Sequence, residues 1–121
     1  MAGSGWIGVD LDGTLAHFEG DVERIGKPVP KMAERVRAWL AAGIDVRIVT
    51  ARVSGRNEKE TEAQRVMIEL WSRIHFGQAL TATCTKDASM LELWDDRAVA
   101  VDKNSGKAGR FVGGRLKLVE P

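Results

Sequence analysis

Apolar residues along the chain occur in two patterns, short continuous runs and longer stripes with helical spacing. Short runs at residues 6–10, 45–50 and 80–85 predict buried strands, and each run ends in a polar residue. Between these runs, apolar residues recur every three or four positions over residues 32–40 and again over residues 63–74. This spacing predicts two amphipathic helices.

The last third of the chain has a less regular pattern. Residues 86–91 fit a short helical turn, and residues 92–95 and 97–101 have the composition of strands. A turn is indicated at residues 104–106, and apolar positions between 111 and 119 predict a late strand or hairpin.

The order of these elements indicates the fold class. Alternating strands and helices are typical of an α/β protein with a parallel sheet. We expect a single domain over residues 1–121, with a central parallel sheet of about five strands in three layers. Ligands of such sheets bind beyond the carboxyl ends of the strands. The polar residues at those ends are Asp10, Thr50, Thr85, Lys86, Asp95 and Asp96.

Composition narrows the class of protein further. The chain has 121 residues, of which 44% are hydrophobic and 29% charged, so it has enough apolar residues for a core. A net charge of +1 provides no general attraction for nucleic acid or membranes. No apolar run approaches the roughly 20 residues that span a bilayer, and no signal core is evident, so we expect a cytoplasmic protein. The single cysteine, Cys84, excludes an internal disulfide framework.

Two carboxylates at the end of the first strand are the first candidates for chemistry. Asp10 and Asp12 are two positions apart, so an extended chain directs them to the same side. A carboxylate pair of this kind requires a metal or a shared proton, and hard oxygen ligands favour Mg²⁺. Asp95 and Asp96 are candidates for the remaining ligands. The alternative is a simple turn; an EF-hand loop is excluded because Leu15 stands where it requires glycine.

The segment Val9–Leu15, with the sequence VDLDGTL, resembles the first signature of the haloacid dehalogenase (HAD) superfamily. Three further signatures of that superfamily have candidates in the expected order. Thr50 ends the second strand, Lys86 is the candidate for the third signature, and the pair Asp95–Asp96 fits the fourth.

The resemblance implies an activity and a role for each carboxylate. Asp10 would be the nucleophile that forms an aspartyl-phosphate, and Asp12 the general acid and then the general base. Mg²⁺ would bind Asp10, the backbone carbonyl of Asp12 and Asp95, and whether Asp95 or Asp96 is the direct ligand stays open. Thr50 and Lys86 would hold the phosphoryl oxygens; the presence of Asp12 favours phosphoryl chemistry over dehalogenation.

Members of this superfamily that act on small metabolites usually carry a cap domain. Residues 16–27 and 53–85 are too short to hold one. The resemblance therefore implies an open site, which suits a bulky substrate or a neighbouring subunit that acts as the lid, so a homo-oligomer is compatible with it. A phosphomutase is disfavoured because that reaction requires water to be excluded.

A narrower resemblance concerns the loop after the second signature. Residues 50–56 and the triplet Asp95-Asp96-Arg97 are similar to the phosphatase domains of phage polynucleotide kinase-phosphatases, which remove 3′-phosphates from nucleic acid ends. Arg52 and Arg56 would then contact a second phosphate of the substrate. The segment from residue 103 onward has five basic residues and one acidic residue, and it is a candidate for phosphate contacts or a solvated terminus.

Three functions remain open at this point. The first is a Mg²⁺-dependent phosphatase for a small or unspecific phosphomonoester. The second is a 3′-phosphatase that acts on nucleic acid ends. The third is a catalytically idle binding module with the same fold.

Overall fold

The main sheet of the protein is parallel throughout. The computed structural model describes residues 5–55 and 57–119. The strands pair in the order β3-β2-β1-β4. Their bounds are β1 Trp6–Asp10, β2 Asp45–Val49, β3 Ala82–Thr83 and β4 Met90–Trp94. The α/β class and the parallel sheet are confirmed, with four strands where about five were expected.

Two helices connect these strands, α1 (Pro30–Ala41) and α2 (Glu58–Phe76). Pro30 at the first position of α1 is favourable because its missing N–H has no partner there in any helix. The side chain of Asn57 caps α2 by accepting a hydrogen bond from the Glu60 backbone N–H at 2.9 Å. Gly77 ends α2 in the left-handed conformation, with φ of 77°. Both predicted helices are thus confirmed.

Both helices pack on the same face of the sheet. Alternate residues of β1 and β2 lie in one core with residues of α1 and α2. The strand residues are Ile7, Val9, Val46 and Ile48, and the helix residues are Met32, Val36, Ile68 and Trp71. The described part of the chain therefore forms two layers, and the expected third layer is not found there. The segment between β3 and β4 is a short loop with a turn at residues 88–89 and no helix.

The opposite face of the sheet carries Trp6. Trp6 is 1% exposed, and Arg47 lies over its ring with the guanidinium carbon 4.6 Å from the ring centroid. The indole Nε1 of Trp6 donates a hydrogen bond to Asp87 at 2.9 Å. Leu91 and Leu93 on the same face are exposed. The contact between Trp6 and Asp87 anchors the loop that precedes β4.

The C-terminal segment forms a second, antiparallel sheet of β5 (Ala100–Val101), β6 (Ala108–Val112) and β7 (Arg115–Val119). Gly113 and Gly114, both with positive φ, form the two-residue turn of the predicted hairpin. Arg110 lies directly opposite Lys117 on one face of this hairpin. The basic segment is thus a pair of strands with a cationic face. None of the described helices is both long and apolar enough to cross a membrane.

Candidate active site

The carboxyl ends of β1, β2 and β4 border one open cavity of about 840 Å³. This is the edge of the sheet at which the sequence predicted chemistry. Its polar lining comprises Asp10, Asp12, Thr50, Arg52, Ser54, Gln64, Cys84, Asp95, Asp96 and Arg97. Parallel pairing brings these residues together from distant parts of the chain.

Three carboxylates in the cavity form a candidate cation site. Asp10, Asp95 and Asp96 each offer an oxygen, and these oxygens lie within 4.8 Å of one another. A set of hard, negatively charged oxygens at this spacing fits Mg²⁺. The side chain of Asp12 lies outside this group of three. The structure therefore brings together Asp10 with both members of the Asp95–Asp96 pair.

The environment of Asp10 favours its protonated form. Burial is the largest cause, followed by a hydrogen bond with Asp96 and the negative charge of Asp95, and together they raise the pKa of Asp10 to about 7. The hydrogen bond from Thr14 acts in the opposite direction. A cation between these carboxylates would offset their repulsion and favour ionised Asp10.

Thr14 joins two of the three carboxylates. Its hydroxyl lies 3.2 Å from Oδ2 of Asp10 and 2.9 Å from Oδ1 of Asp96, and it accepts a hydrogen bond from the Asp96 backbone N–H at 2.9 Å. Thr14 itself is buried, whereas Asp10 is half-buried and Asp96 is exposed to the cavity. Thr14 belongs to the first signature, Val9–Leu15, but the resemblance implied no role for it. The available signal for a contact with Asp10 was its position four residues later in the sequence.

Gly13 has no side chain, and the Asp96 carboxylate lies in the space that one would fill. Its φ is +89°, a conformation that side chains rarely adopt. A Cβ at this position would lie 2.8 Å from Oδ2 of Asp96. Glycine is therefore required here for its backbone conformation and for the close approach of the carboxylate.

Asp12 is held by Arg52. The Nε and Nη2 atoms of Arg52 donate hydrogen bonds to the two carboxylate oxygens of Asp12, at 2.7 and 2.9 Å. The remaining N–H groups donate to the carbonyl oxygens of Val22 and Arg24 and to the side chain of Gln64. The sequence assigned Arg52 to the substrate; the structure directs its guanidinium to the protein.

Thr50 lies at the end of β2 as predicted. It is 3% exposed, and its hydroxyl oxygen accepts a hydrogen bond from the Arg52 backbone N–H at 3.1 Å. The hydroxyl hydrogen is not used in that bond, so it is free to be donated into the cavity. This arrangement fits the phosphate-holding role that the resemblance implied.

Lys86 and Arg97 are placed differently from what the sequence suggested. Lys86 is exposed and does not belong to the cavity lining, although Cys84 does. Arg97 lines the cavity, and its backbone N–H donates to Oδ1 of Asp95 at 2.7 Å. In the sequence, Arg97 is distinguished only by its place in the triplet Asp95-Asp96-Arg97. Arg56, the other expected substrate contact, lies outside the described residues.

Comparisons of the chain with protein-family models, with curated proteins and with solved structures found no significant match.

Proposed function

We propose that this protein is a Mg²⁺-dependent phosphomonoester hydrolase of the HAD type, acting through an aspartyl-phosphate on Asp10. The observation that carries the proposal is one cavity that contains Asp10, Thr50 and the Asp95–Asp96 pair, contributed by the ends of three neighbouring strands. Three of the four signatures noted in the sequence supply these residues. Lys86, the candidate for the remaining signature, lies outside the cavity lining.

Asp10, Asp95 and Asp96 are the residues that would hold the cation. A bound Mg²⁺ supplies charge stabilisation for the phosphoryl oxygens and offsets the repulsion among the three carboxylates. The protein contributes the fixed spacing, because Thr14 bridges Asp10 and Asp96 while Gly13 leaves room for the Asp96 carboxylate.

In the first step, an oxygen of Asp10 attacks the phosphorus atom of the ester and forms a P–O bond. The bond between phosphorus and the leaving oxygen breaks, and that oxygen takes a proton from the carboxyl group of Asp12. Thr50 donates its hydroxyl hydrogen to a phosphoryl oxygen.

In the second step, Asp12 takes a proton from a water molecule, whose oxygen attacks the phosphorus atom. The bond to Asp10 breaks, and inorganic phosphate leaves with the free Asp10 carboxylate restored. Arg52 orients Asp12 for both steps because it holds the two carboxylate oxygens in a fixed plane.

The open cavity bears on the class of substrate. Its volume of about 840 Å³ is larger than a phosphate group requires, and Phe18 and Val22 supply an apolar wall. A small or unspecific phosphomonoester fits this cavity with room for the leaving group. No part of the described chain forms a cap over it.

A 3′-phosphatase for nucleic acid ends is the second candidate, and the β6–β7 hairpin favours it. Arg110 and Lys117 lie directly opposite each other, and Arg115 lies on the same face. Like charges at opposite positions of two strands repel, and an anionic backbone would relieve this repulsion.

The test is phosphate release from a 3′-phosphorylated oligonucleotide and from a 3′-mononucleotide, with Mg²⁺ and with EDTA. We expect release that requires Mg²⁺ and disappears in Asp10→Asn. Equal or faster release from the mononucleotide supports the small-substrate function, and a preference for the oligonucleotide supports the second candidate. Release that is unchanged in Asp10→Asn would overturn the mechanism, and no release from any phosphomonoester would favour an idle binding module.

A further inference from the structure

A site that transfers a phosphoryl group requires positive charge near the phosphoryl oxygens. The lining of the cavity contains two cationic side chains from the described part of the chain, Arg52 and Arg97. Lys86, the candidate from the sequence, is not part of that lining. The three residues differ in what their side chains already contact.

Arg52 is fully engaged within the protein. An arginine side chain has five N–H donors, and Arg52 uses all of them in hydrogen bonds to Asp12, Val22, Arg24 and Gln64. Its side chain is 6% exposed. A substrate could reach its guanidinium only by breaking several of these bonds, which makes Arg52 a positioning residue for Asp12.

Lys86 is exposed and is not part of the cavity lining, and the contacts that fix its loop are made by the next residue. Its neighbour Asp87 accepts hydrogen bonds from Nε1 of Trp6 at 2.9 Å and from the Ser89 backbone N–H at 2.8 Å. Arg47 adds an ion pair with Asp87 at 3.8 Å. These contacts anchor the loop through Asp87 and leave the Lys86 side chain exposed.

Arg97 differs from Arg52 because its backbone is fixed while its guanidinium is not engaged by any residue that the structure describes. Its backbone is fixed close to the cation site by the hydrogen bond to Asp95. Within residues 5–55 and 57–119, its guanidinium has no hydrogen-bond or ion-pair partner, although it lines the cavity. An unengaged guanidinium beside a cation site presents the planar fork that pairs with two phosphate oxygens.

The charges of the site lead to the same residue. The cavity contains four carboxylates, Asp10, Asp12, Asp95 and Asp96. Before phosphoryl transfer, Asp12 carries the proton that it later donates, so one divalent cation together with Arg52 balances the charges of the other three. Arg97 adds one positive charge, so a phosphate dianion enters a site of net positive charge.

We propose that Arg97 binds the phosphoryl oxygens of the substrate, in the role that the sequence suggested for Lys86. This inference rests on the proposed function. It identifies Arg97 as the positively charged side chain that binds phosphate in the same cavity.

The test compares the variants Arg97→Ala and Lys86→Ala. Both residues are exposed, so we expect both shortened side chains to leave the fold intact. Binding of inorganic phosphate is measured by calorimetry in the presence of Mg²⁺, and kcat and KM are measured with a phosphomonoester. We expect Arg97→Ala to weaken phosphate binding by about ten- to a hundredfold, the loss typical of a hydrogen bond to a charged group. Lys86→Ala should bind phosphate like the unmodified protein, and Arg97→Lys should recover part of the affinity.

The binding measurement separates this inference from the proposed function. If the unmodified protein binds phosphate through Arg97 but hydrolyses no ester, the inference holds and the proposed function fails. If hydrolysis occurs and Arg97→Ala leaves phosphate binding and KM unchanged, the proposed function holds and the inference is wrong. Loss of binding in Lys86→Ala alone, or no phosphate binding by the unmodified protein, would also overturn the inference.

Discussion

Arg52 and Asp12 form a bidentate pair, with Nε and Nη2 of the arginine 2.7 and 2.9 Å from the two carboxylate oxygens. The same guanidinium binds the carbonyl oxygens of Val22 and Arg24 and the side chain of Gln64 on α2. One side chain thus connects the proposed acid–base residue, the loop that contains Val22 and Arg24, and a helix. The position of Asp12 depends on all three.

Replacing Arg52 is expected to lower both stability and activity. Arg52→Ala leaves a largely buried carboxylate without its partner, which costs about 3 kcal/mol of unfolding free energy. Arg52→Lys keeps the charge, but a single ammonium group cannot hold both oxygens of Asp12. It should therefore recover part of the stability while kcat stays low. Urea unfolding and steady-state kinetics check this prediction, and full activity in Arg52→Lys would contradict the positioning role.

Thr14 is expected to control metal affinity through the position of Asp96. Thr14→Val keeps the shape of the side chain but removes the hydroxyl that contacts Asp10 and Asp96. Because residues that orient metal ligands typically contribute about tenfold or more to affinity, Mg²⁺ binding should weaken by that amount. Thr14→Ser retains the hydroxyl and is the matched control. Calorimetry with Mg²⁺ distinguishes them; equal affinity in both variants would show that the bridge is dispensable.

Gly13 and Gly20 provide a second matched pair. Both have a positive φ, +89° and +92°, so alanine at either position costs about 1–2 kcal/mol of stability. At Gly13 the new Cβ also meets the carboxylate of Asp96 at 2.8 Å, whereas nothing lies within 4 Å of it at Gly20.

Gly13→Ala should therefore lose Mg²⁺ affinity and phosphatase activity, while Gly20→Ala should lose only stability. Thermal unfolding measures the loss of stability that both variants share. Mg²⁺ titration measures the loss of affinity that only Gly13→Ala should show. A Gly13→Ala protein with normal Mg²⁺ affinity would show that the Asp96 carboxylate can move without consequence.

Mg²⁺ binding is expected to release a proton from Asp10. Burial, Asp96 and Asp95 raise the pKa of Asp10 to about 7, and a cation binds the ionised form. Affinity should therefore increase by about tenfold for each pH unit up to about pH 7 and level off above it. Calorimetry in buffers with different ionisation enthalpies measures the proton directly. Affinity that does not change between pH 5 and 7 would contradict the assignment.

The stability of the metal-free protein is expected to decrease as pH rises from about 4 to 7. The folded-state pKa of Asp10 lies above the ordinary value of 3.8, so the folded state retains a proton that the unfolded chain has lost. Its stabilising contribution is complete below pH 3.8 and is lost as pH rises through about 7. Asp10→Asn should remove this slope in urea unfolding, and a slope that persists would assign it to another group.

Asp87 does not interfere in this pH window. Asp87 accepts hydrogen bonds from the side chain of Trp6 and from the backbone N–H of Ser89. Both bonds favour the ionised carboxylate and lower its pKa below 3.8. The ionised Asp87 carboxylate therefore stabilises the folded protein above pH 3.8. This contribution is lost only as pH falls through the lower pKa that Asp87 has in the folded state.

The pattern of apolar runs and polar strand ends was enough to predict where most residues of the candidate site lie. The apolar runs predicted β1 and β2, and the helical stripe over residues 63–74 predicted α2, which extends from Glu58 to Phe76. Because parallel strands present their carboxyl ends at one edge, Asp10, Thr50 and Asp95 were expected together, and they border one cavity. The third strand was predicted over six residues, but pairing is limited to Ala82–Thr83.

The layer arrangement could not be read from periodicity. A helical stripe shows which side of a helix is apolar, but not which face of the sheet it covers. Both connections between β1, β2 and β3 place their helices on one face, and the segment between β3 and β4 is too short for another helix. The second face therefore has Trp6, Arg47 and exposed leucines in place of a third layer.

The sequence by itself determined the α/β class, the position of the site at the strand ends and the identity of its carboxylates, because these depend on residues close together along the chain. Tertiary structure decided which cationic side chains line the candidate site. Arg52 is 40 residues from Asp12, and only folding brings their side chains into contact. Folding likewise leaves Lys86 outside the cavity lining, while Arg97 is kept beside the cavity by the hydrogen bond of its backbone to Asp95. Such pairings depend on long-range packing, which local patterns of residues do not specify.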